Sequence, residues 1–314
     1  MILPQRYSII SLYKKSLKGD RYMTVKPKFF DSFKCTASEC TDTCCAGWEI
    51  YVDGDTAEYY TALDGEVGEY IRENLSVCED GILLCREGEK CPFLRHDKLC
   101  EIILKLGEDS ICEICREHPR FYSTDINLTE AGIGLCCPEA TRLWLDSPTE
   151  FVFNEDGYPL TEDEKNKLGR QMFIIEYLVS GERTLGEKLA ELLGENYDDE
   201  LYEKLRELYS KLEVLDSDFP KRFSEFIEAT DDARFSRLAS YFVFRYYFEL
   251  GEELCLKFTA ASLVMVASMS GELKTAAKDY SKEVEYDTDN LDMIYSFLEN
   301  CDCLGGLCKK VFLK

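Results

Sequence analysis

The chain has 314 residues, 45% of them apolar and 12% aromatic, with 61 acidic against 37 basic side chains and a formal charge of −24. This composition supports a packed core and excludes wholesale disorder, and the length suits one large domain or two smaller ones. A surface of that sign repels phosphate, which disfavours nucleic acid and anionic lipid as partners; it favours a cationic partner such as a lysine-bearing protein, or serves solubility alone.

Residues 1–22, "MILPQRYSIISLYKKSLKGDRY", carry no secretory apolar run and read as an N-terminal extension. The longest apolar candidate elsewhere, "FTAASLVMVASM" (Phe258–Met269), is too short to span a bilayer and contains Ser and Thr. Membrane insertion is therefore not expected, and a cytoplasmic location is. In that compartment thiols stay reduced, so metal or cluster ligation is the leading explanation for 16 cysteines, ahead of disulfides.

Twelve of the cysteines lie between Cys35 and Cys137, and residues 23–147 read as a cysteine-rich metal- or cluster-binding region of short elements and loops. A turn-rich break at "LDSPTEF" (Leu145–Phe151) precedes a helical region over 148–314. There Thr161 with Glu164, and Thr184 with Glu187, stand at capping-box spacing. Leu185, Leu189, Leu192 and Leu193 fall on one helical face, as do Leu201, Leu205, Leu208 and Leu212. "DDARFSRLASYFVFRYYFELG" predicts a buried aromatic helix, and "EELCLKFTAASLVMVASM" and "TDNLDMIYSFLEN" two more. The expected fold is mainly α, a loop-rich cysteine-cluster region packed on a C-terminal helical region. No glycine-rich phosphate loop, βαβ alternation or internal repeat is visible.

The cysteines fall into groups: Cys35, Cys40, Cys44 and Cys45; Cys91 and Cys100; Cys112 and Cys115; Cys136 and Cys137. Only Cys112–Cys115 has the C-x2-C spacing usual in zinc ribbons, so zinc is disfavoured without being excluded. Cys91–Pro92 and Cys137–Pro138 match the Cys-Pro pattern of ferredoxin-type ligands. Cys78, Cys85 and Cys255 are isolated and read as packed or exposed thiols. The tail trio Cys301, Cys303 and Cys308 reads as an adventitious site at most, and His96 and His118 as loop residues.

The ordered stretches "FKCTASECTDTCCAGWEIYVD", "CPFLRHDKLCEIILKLGEDSICEICREHPRFY" and "GLCCPEATRLWL" resemble the flagellin lysine-N-methylases, within a broader group of zinc- or iron-chelating cysteine-cluster proteins. The resemblance covers about residues 24–145. It implies a metal set of Cys35, Cys40, Cys44, Cys45, Cys91, Cys100, Cys115 and Cys137, with Cys112 and Cys136 as additions. It also implies an iron–sulfur cluster (the four-iron form expected, zinc the alternative), S-adenosylmethionine as cofactor and flagellin lysines as substrate. A cationic sulfonium favours aromatic faces and carboxylates, and its carboxylate favours guanidinium. Trp48, Asp53, Arg116 and Arg120 are the cofactor-binding candidates on that ground, with Tyr59, Tyr60, Tyr122 and Glu139 nearby. No catalytic residue stands out. The run Cys40-x3-Cys44 is followed at once by Cys45, with Gly47 where a radical enzyme of this cofactor would carry its third cysteine. Polar methyl transfer with an organising cluster is therefore favoured over radical chemistry. The alternative is a non-catalytic zinc- or iron-binding module.

Overall fold

The computed structural model describes residues 22–46, 50–78, 81–84, 90–154, 157–224 and 233–313. Except for Tyr22, the expected N-terminal extension lies outside them, as do Trp48 and Cys85. Two compact units are present, one formed by Lys34–Phe121 and the other by Tyr122–Lys314 with the segment ending at Phe33. The division falls ahead of the turn-rich break at Leu145–Phe151. Residues 122–147 go with the helices because their strand and helix are cored by the second unit's aromatics. Cys136 and Cys137 thus belong to the second unit, and the other clustered cysteines to the first.

The described chain opens with strand β1 (Met23–Pro27), which belongs to the second unit. The first unit follows with β2 (Tyr51–Val52), α1 (Gly54–Ala62), α2 (Gly65–Glu73), β3 (Leu75–Cys78), β4 (Gly81–Leu84), α3 (Glu101–Leu106) and α4 (Glu113–Glu117). Its three strands form an antiparallel sheet in the order β2-β4-β3. Tyr60, Ile71, Leu84, Phe93, Ile102 and Cys112 are buried in one small core. A core of that size leaves the unit short of apolar burial, the situation in which a bound metal stabilises a fold most.

β5 (Arg120–Thr124) begins at the end of the first unit and runs into the second, which adds β6 (Leu128–Ile133), α5 (Pro138–Asp146) and β7 (Phe151–Asn154). The sheet order is β5-β6-β1-β7, with β1 parallel to β6 and antiparallel to β7. Then come α6 (Glu162–Val179), α7 (Leu185–Leu193), α8 (Leu201–Tyr209), α9 (Ala233–Ser268), α10 (Leu273–Val284), α11 (Thr288–Leu298) and α12 (Leu304–Val311). Both capping boxes expected from sequence are formed, at Thr161–Glu164 and Thr184–Glu187. The two helices expected on either side of Gly251 are both formed; they meet at that glycine, whose φ of +72° is not helical and suits a residue without Cβ, and they are labelled together as α9.

α9 is the axis of this unit: its buried residues run from Phe235 to Ser268, and α5, α6, α7, α10, α11 and α12 all pack on it. Trp144 of α5 sits edge-on to Tyr241, with ring centroids 5.2 Å apart, and donates its indole N–H to the Ile133 carbonyl. These contacts draw β6 and α5 into the helical unit. The fold is thus mainly α, with a helical C-terminal region and an N-terminal part of strands, loops and short helices. No helix among the described residues is long and apolar enough to cross a membrane.

Candidate thiol centre

The first unit brings five thiols into one neighbourhood. Ala46 bridges antiparallel to Lys90, and the Cys91 amide donates to the Cys45 carbonyl at 2.8 Å, so these two cysteines lie on adjacent strands of backbone. Leu94 then pairs with Cys100 across a tight turn, in which Glu101 N–H donates to the Phe93 carbonyl at 2.8 Å. The turn returns Cys100 toward Cys91. α3 follows Cys100, and Cys112 occupies the N-cap position of α4. Cys115 comes one turn on, its Sγ 3.4 Å from that of Cys112.

The electrostatics show the same grouping. Burial pushes Cys91 up to about 12, with Cys45, Cys100 and Cys112 adding to the rise. Cys100 is raised by burial and by Cys45 and Cys112. The hydrogen bond between Cys112 and Cys115 lowers Cys112 and raises Cys115. A hydrogen bond from Cys44 holds Cys45 down to about 7. Cys91, Cys100 and Cys115 thus resist ionisation while Cys45 and Cys112 ionise more readily, and a cation would favour the thiolate, the ligating form, at all five. The donor set therefore suits a thiolate-bound metal or cluster. Among the described residues, however, no three Cys, His, Asp or Glu side chains are placed to hold a metal ion as they stand; loading would have to gather the sulfurs further.

Two groups brace the Cys112–Cys115 turn. Asp53 caps α1 by accepting the Thr56 amide at 3.1 Å, and its Oδ2 accepts the Glu113 amide at 2.8 Å. Tyr60 is buried and donates its hydroxyl to the Ser110 carbonyl at 2.7 Å; burial, then Cys112, Cys115 and Cys100, raise its phenol.

The sequence candidates thus divide. Cys45, Cys91, Cys100 and Cys115 come together. Cys112, read from sequence as an addition, is at the centre of the group, and its C-x2-C spacing to Cys115 is the signal for it. Cys44 adjoins Cys45. Cys35 is exposed and its Sγ accepts the Ala37 amide at 3.4 Å, while Cys40 presents its carbonyl to Lys98 Nζ at 2.8 Å. Neither is part of the five-thiol group. Arg116 is exposed on α4, and Arg120 donates from Nη1 to its carbonyl at 3.3 Å. Asp53 directs its carboxylate at backbone amides, the turn-capping role that is commonest for such a residue. Trp48 lies outside the described residues.

Cys137 stands in the second unit at the N-cap of α5, and Cys136 lies 3.1 Å from the Tyr286 hydroxyl. Cys255, Cys301 and Cys308 are buried packing residues. The tail forms α12, which approaches α7 so closely that a Cβ on Gly305 would fall 2.0 Å from the Gly194 carbonyl oxygen.

No family model and no solved structure matches the chain. Over 143 residues, 41% of the chain, it is 29% identical to the flagellar biosynthetic protein FliU of Salmonella muenchen, covering 81% of that protein. The same length is 29% identical to the lysine-N-methylases of Salmonella typhimurium and Salmonella choleraesuis, but covers only 34% of each, so the match spans about a third of those enzymes. The resemblance carried by the cysteine motifs is therefore also a measured one: over two fifths of its length, this chain is similar to lysine-N-methylases and to a flagellar biosynthetic protein.

Proposed function

We propose that this protein transfers methyl groups from S-adenosylmethionine to lysine side chains of flagellin and carries an iron–sulfur cluster that organises its cysteine-rich unit. The reading is supported by the likeness to proteins named lysine-N-methylase and FliU, in a chain whose first unit gathers five thiols. Cys45, Cys91, Cys100, Cys112 and Cys115 are the ligand candidates. A cluster bound there would supply loop closure, linking backbone from Cys45 to Cys115 in a unit with a small core.

In the transfer, the lysine nitrogen lone pair attacks the sulfonium methyl carbon, the carbon–sulfur bond breaks, and the thioether leaves with that electron pair. The nitrogen then loses a proton. The attacking amine must be neutral, so its site must desolvate the lysine or accept its proton. Arg116 and Arg120 are the candidates to meet the cofactor carboxylate, and the acidic surface favours a lysine-bearing substrate.

The competing reading, a non-catalytic zinc- or iron-binding module, is favoured by the thiol group alone. Purified protein incubated with S-adenosylmethionine and flagellin, with the flagellin mass then measured, separates the two. Methyl increments on lysine support the enzyme. No increment from metal-loaded protein supports the module.

A further inference from the structure

The second unit holds a cluster of tyrosines and carboxylates that the thiol centre does not use. At its base is Glu285, whose side chain is fully buried. Tyr241 donates to its Oε2 at 2.5 Å, Ser281 at 2.9 Å, and the Arg245 guanidinium lies 3.3 Å away. All three fall on one oxygen. Oε1 is buried and has no hydrogen-bond partner among the described residues.

Two more orphans belong to the same cluster. The hydroxyls of Tyr246 and Tyr295 are buried, again without a hydrogen-bond partner among the described residues, and the Tyr246 residue is only 3% exposed. Both rings pack on Phe258, at 4.9 and 5.3 Å between centroids. The Arg245 guanidinium, 3.3 Å from Glu285 Oε2, also lies 5.4 Å from the Tyr246 ring centroid, and Tyr295 joins the group through Phe258. Glu249 and Asp292, both exposed, lie at the outer side, and Asp292 adds to the cost of ionising Glu249. Burial raises both the Glu285 and the Glu249 carboxyl, and Asp292 stands on the outer rim.

Buried polar atoms without partners are uncommon, and each calls for water, an ion or a ligand. Here the three orphans can accept hydrogen bonds, the outer rim carries the acidic Glu249 and Asp292, and the walls are aromatic. That combination suits an alkylammonium, which brings up to three N–H donors and a positive charge attracted to ring faces. We propose that Tyr246, Tyr295 and Glu285 form the binding site for a lysine ammonium of the protein substrate, entered past Glu249 and Asp292, with Arg245 locking the other oxygen of Glu285. This role deepens the lysine-methylation reading, as the site that takes up the ammonium before it loses the proton that blocks attack, and it rests on that reading for the identity of the amine.

The test uses n-butylammonium as the probe and n-butanol as its neutral control, followed by saturation-transfer NMR on the full chain. The wild type should bind butylammonium in preference to butanol, and Glu285→Gln and Tyr295→Phe should each weaken it by roughly tenfold, the scale of one lost hydrogen bond to a charged group. Tyr295→Phe removes a hydroxyl with no partner among the described residues, so it should keep the fold and remain informative if Glu285→Gln does not. Equal binding of butanol, or unchanged affinity in Tyr295→Phe, overturns the proposal. Methylation of flagellin by Tyr295→Phe with unaltered KM would sink this site while leaving the methylation reading standing. Butylammonium binding with no methyl transfer by the wild type would do the reverse.

Discussion

The Asp53 carboxylate accepts the backbone N–H of Glu113 at 2.8 Å, joining the cap of α1 to the first turn of α4, 60 residues later in the chain. One side chain thus holds both a helix start and the turn that presents Cys112 and Cys115. Replacing it by Ala removes a cap, worth about 1 kcal/mol, and a charge-assisted bond, worth about 1.5–3 kcal/mol. Asp53→Ala should therefore lower stability in urea by about 2.5–4 kcal/mol. It should also speed thiol-reagent attack on Cys112, read by peptide mapping. Unchanged labelling would show that the Asp53–Glu113 bond does not control the turn.

Glu130 of β6 is buried; Gln171 donates to its Oε1 at 2.8 Å, while its Oε2 and the Gln171 Oε1 lack partners among the described residues. Burial pushes this carboxyl up to about 8, against 4.5 when free. Between those values the folded chain keeps a proton that the unfolded chain has released, so stability falls as pH rises. The slope from this one group is about 1.4 kcal/mol per pH unit. The contribution is complete below the unfolded value and is lost as pH passes the folded one. Glu130→Gln should flatten that difference when wild type and variant are compared in urea from about pH 5 to 8. Parallel curves would mean that Glu130 is ionised in the folded protein.

Much of the second unit was legible in the sequence because its signals are local. Thr161 with Glu164 and Thr184 with Glu187 announce helix starts by spacing alone, and Leu185 and Leu189 mark a buried face. What stays hidden in the sequence depends on distant partners. β1 pairs in parallel with β6, on the far side of the whole first unit in the chain, and no short-range pattern encodes that. The family pattern lacks Cys112, yet packing puts this thiol beside Cys115. The orphaned atoms of Glu285 and Tyr246 are invisible in the sequence for a related reason: they are defined by the absence of a partner in space.

Gly305 shows how tightly the tail is seated. Its neighbour is backbone, the Gly194 carbonyl oxygen, with the Ala190 Cα 3.0 Å from a would-be Cβ. Gly305→Ala must push α12 away from α7, and overpacking of this kind costs about 1–3 kcal/mol. The thermal midpoint should fall, whereas Cys303→Ser, at a half-buried position nearby, should leave it nearly unchanged. The opposite order would place the tail's importance in its thiols.

Protein purified without oxygen should contain iron and labile sulfide. Single Ser substitutions at Cys91, Cys100, Cys112 and Cys115 should release iron, and Cys255→Ser and Cys308→Ser should not. Zinc without sulfide would replace the cluster by the simpler metal, and iron lost only from the tail variants would move the centre out of the first unit.

Methyl transfer to lysine is the reading on which the rest depends, and label tracing reads it out without an intermediate assay. Metal-loaded protein is incubated with S-adenosylmethionine carrying a labelled methyl group and with unmodified flagellin, and the flagellin peptides are mapped. The expected result is label on lysine Nζ, dependent on the protein and abolished when Cys112→Ser loses the metal. Label absent from every lysine, while the metal and fold are intact, would contradict it.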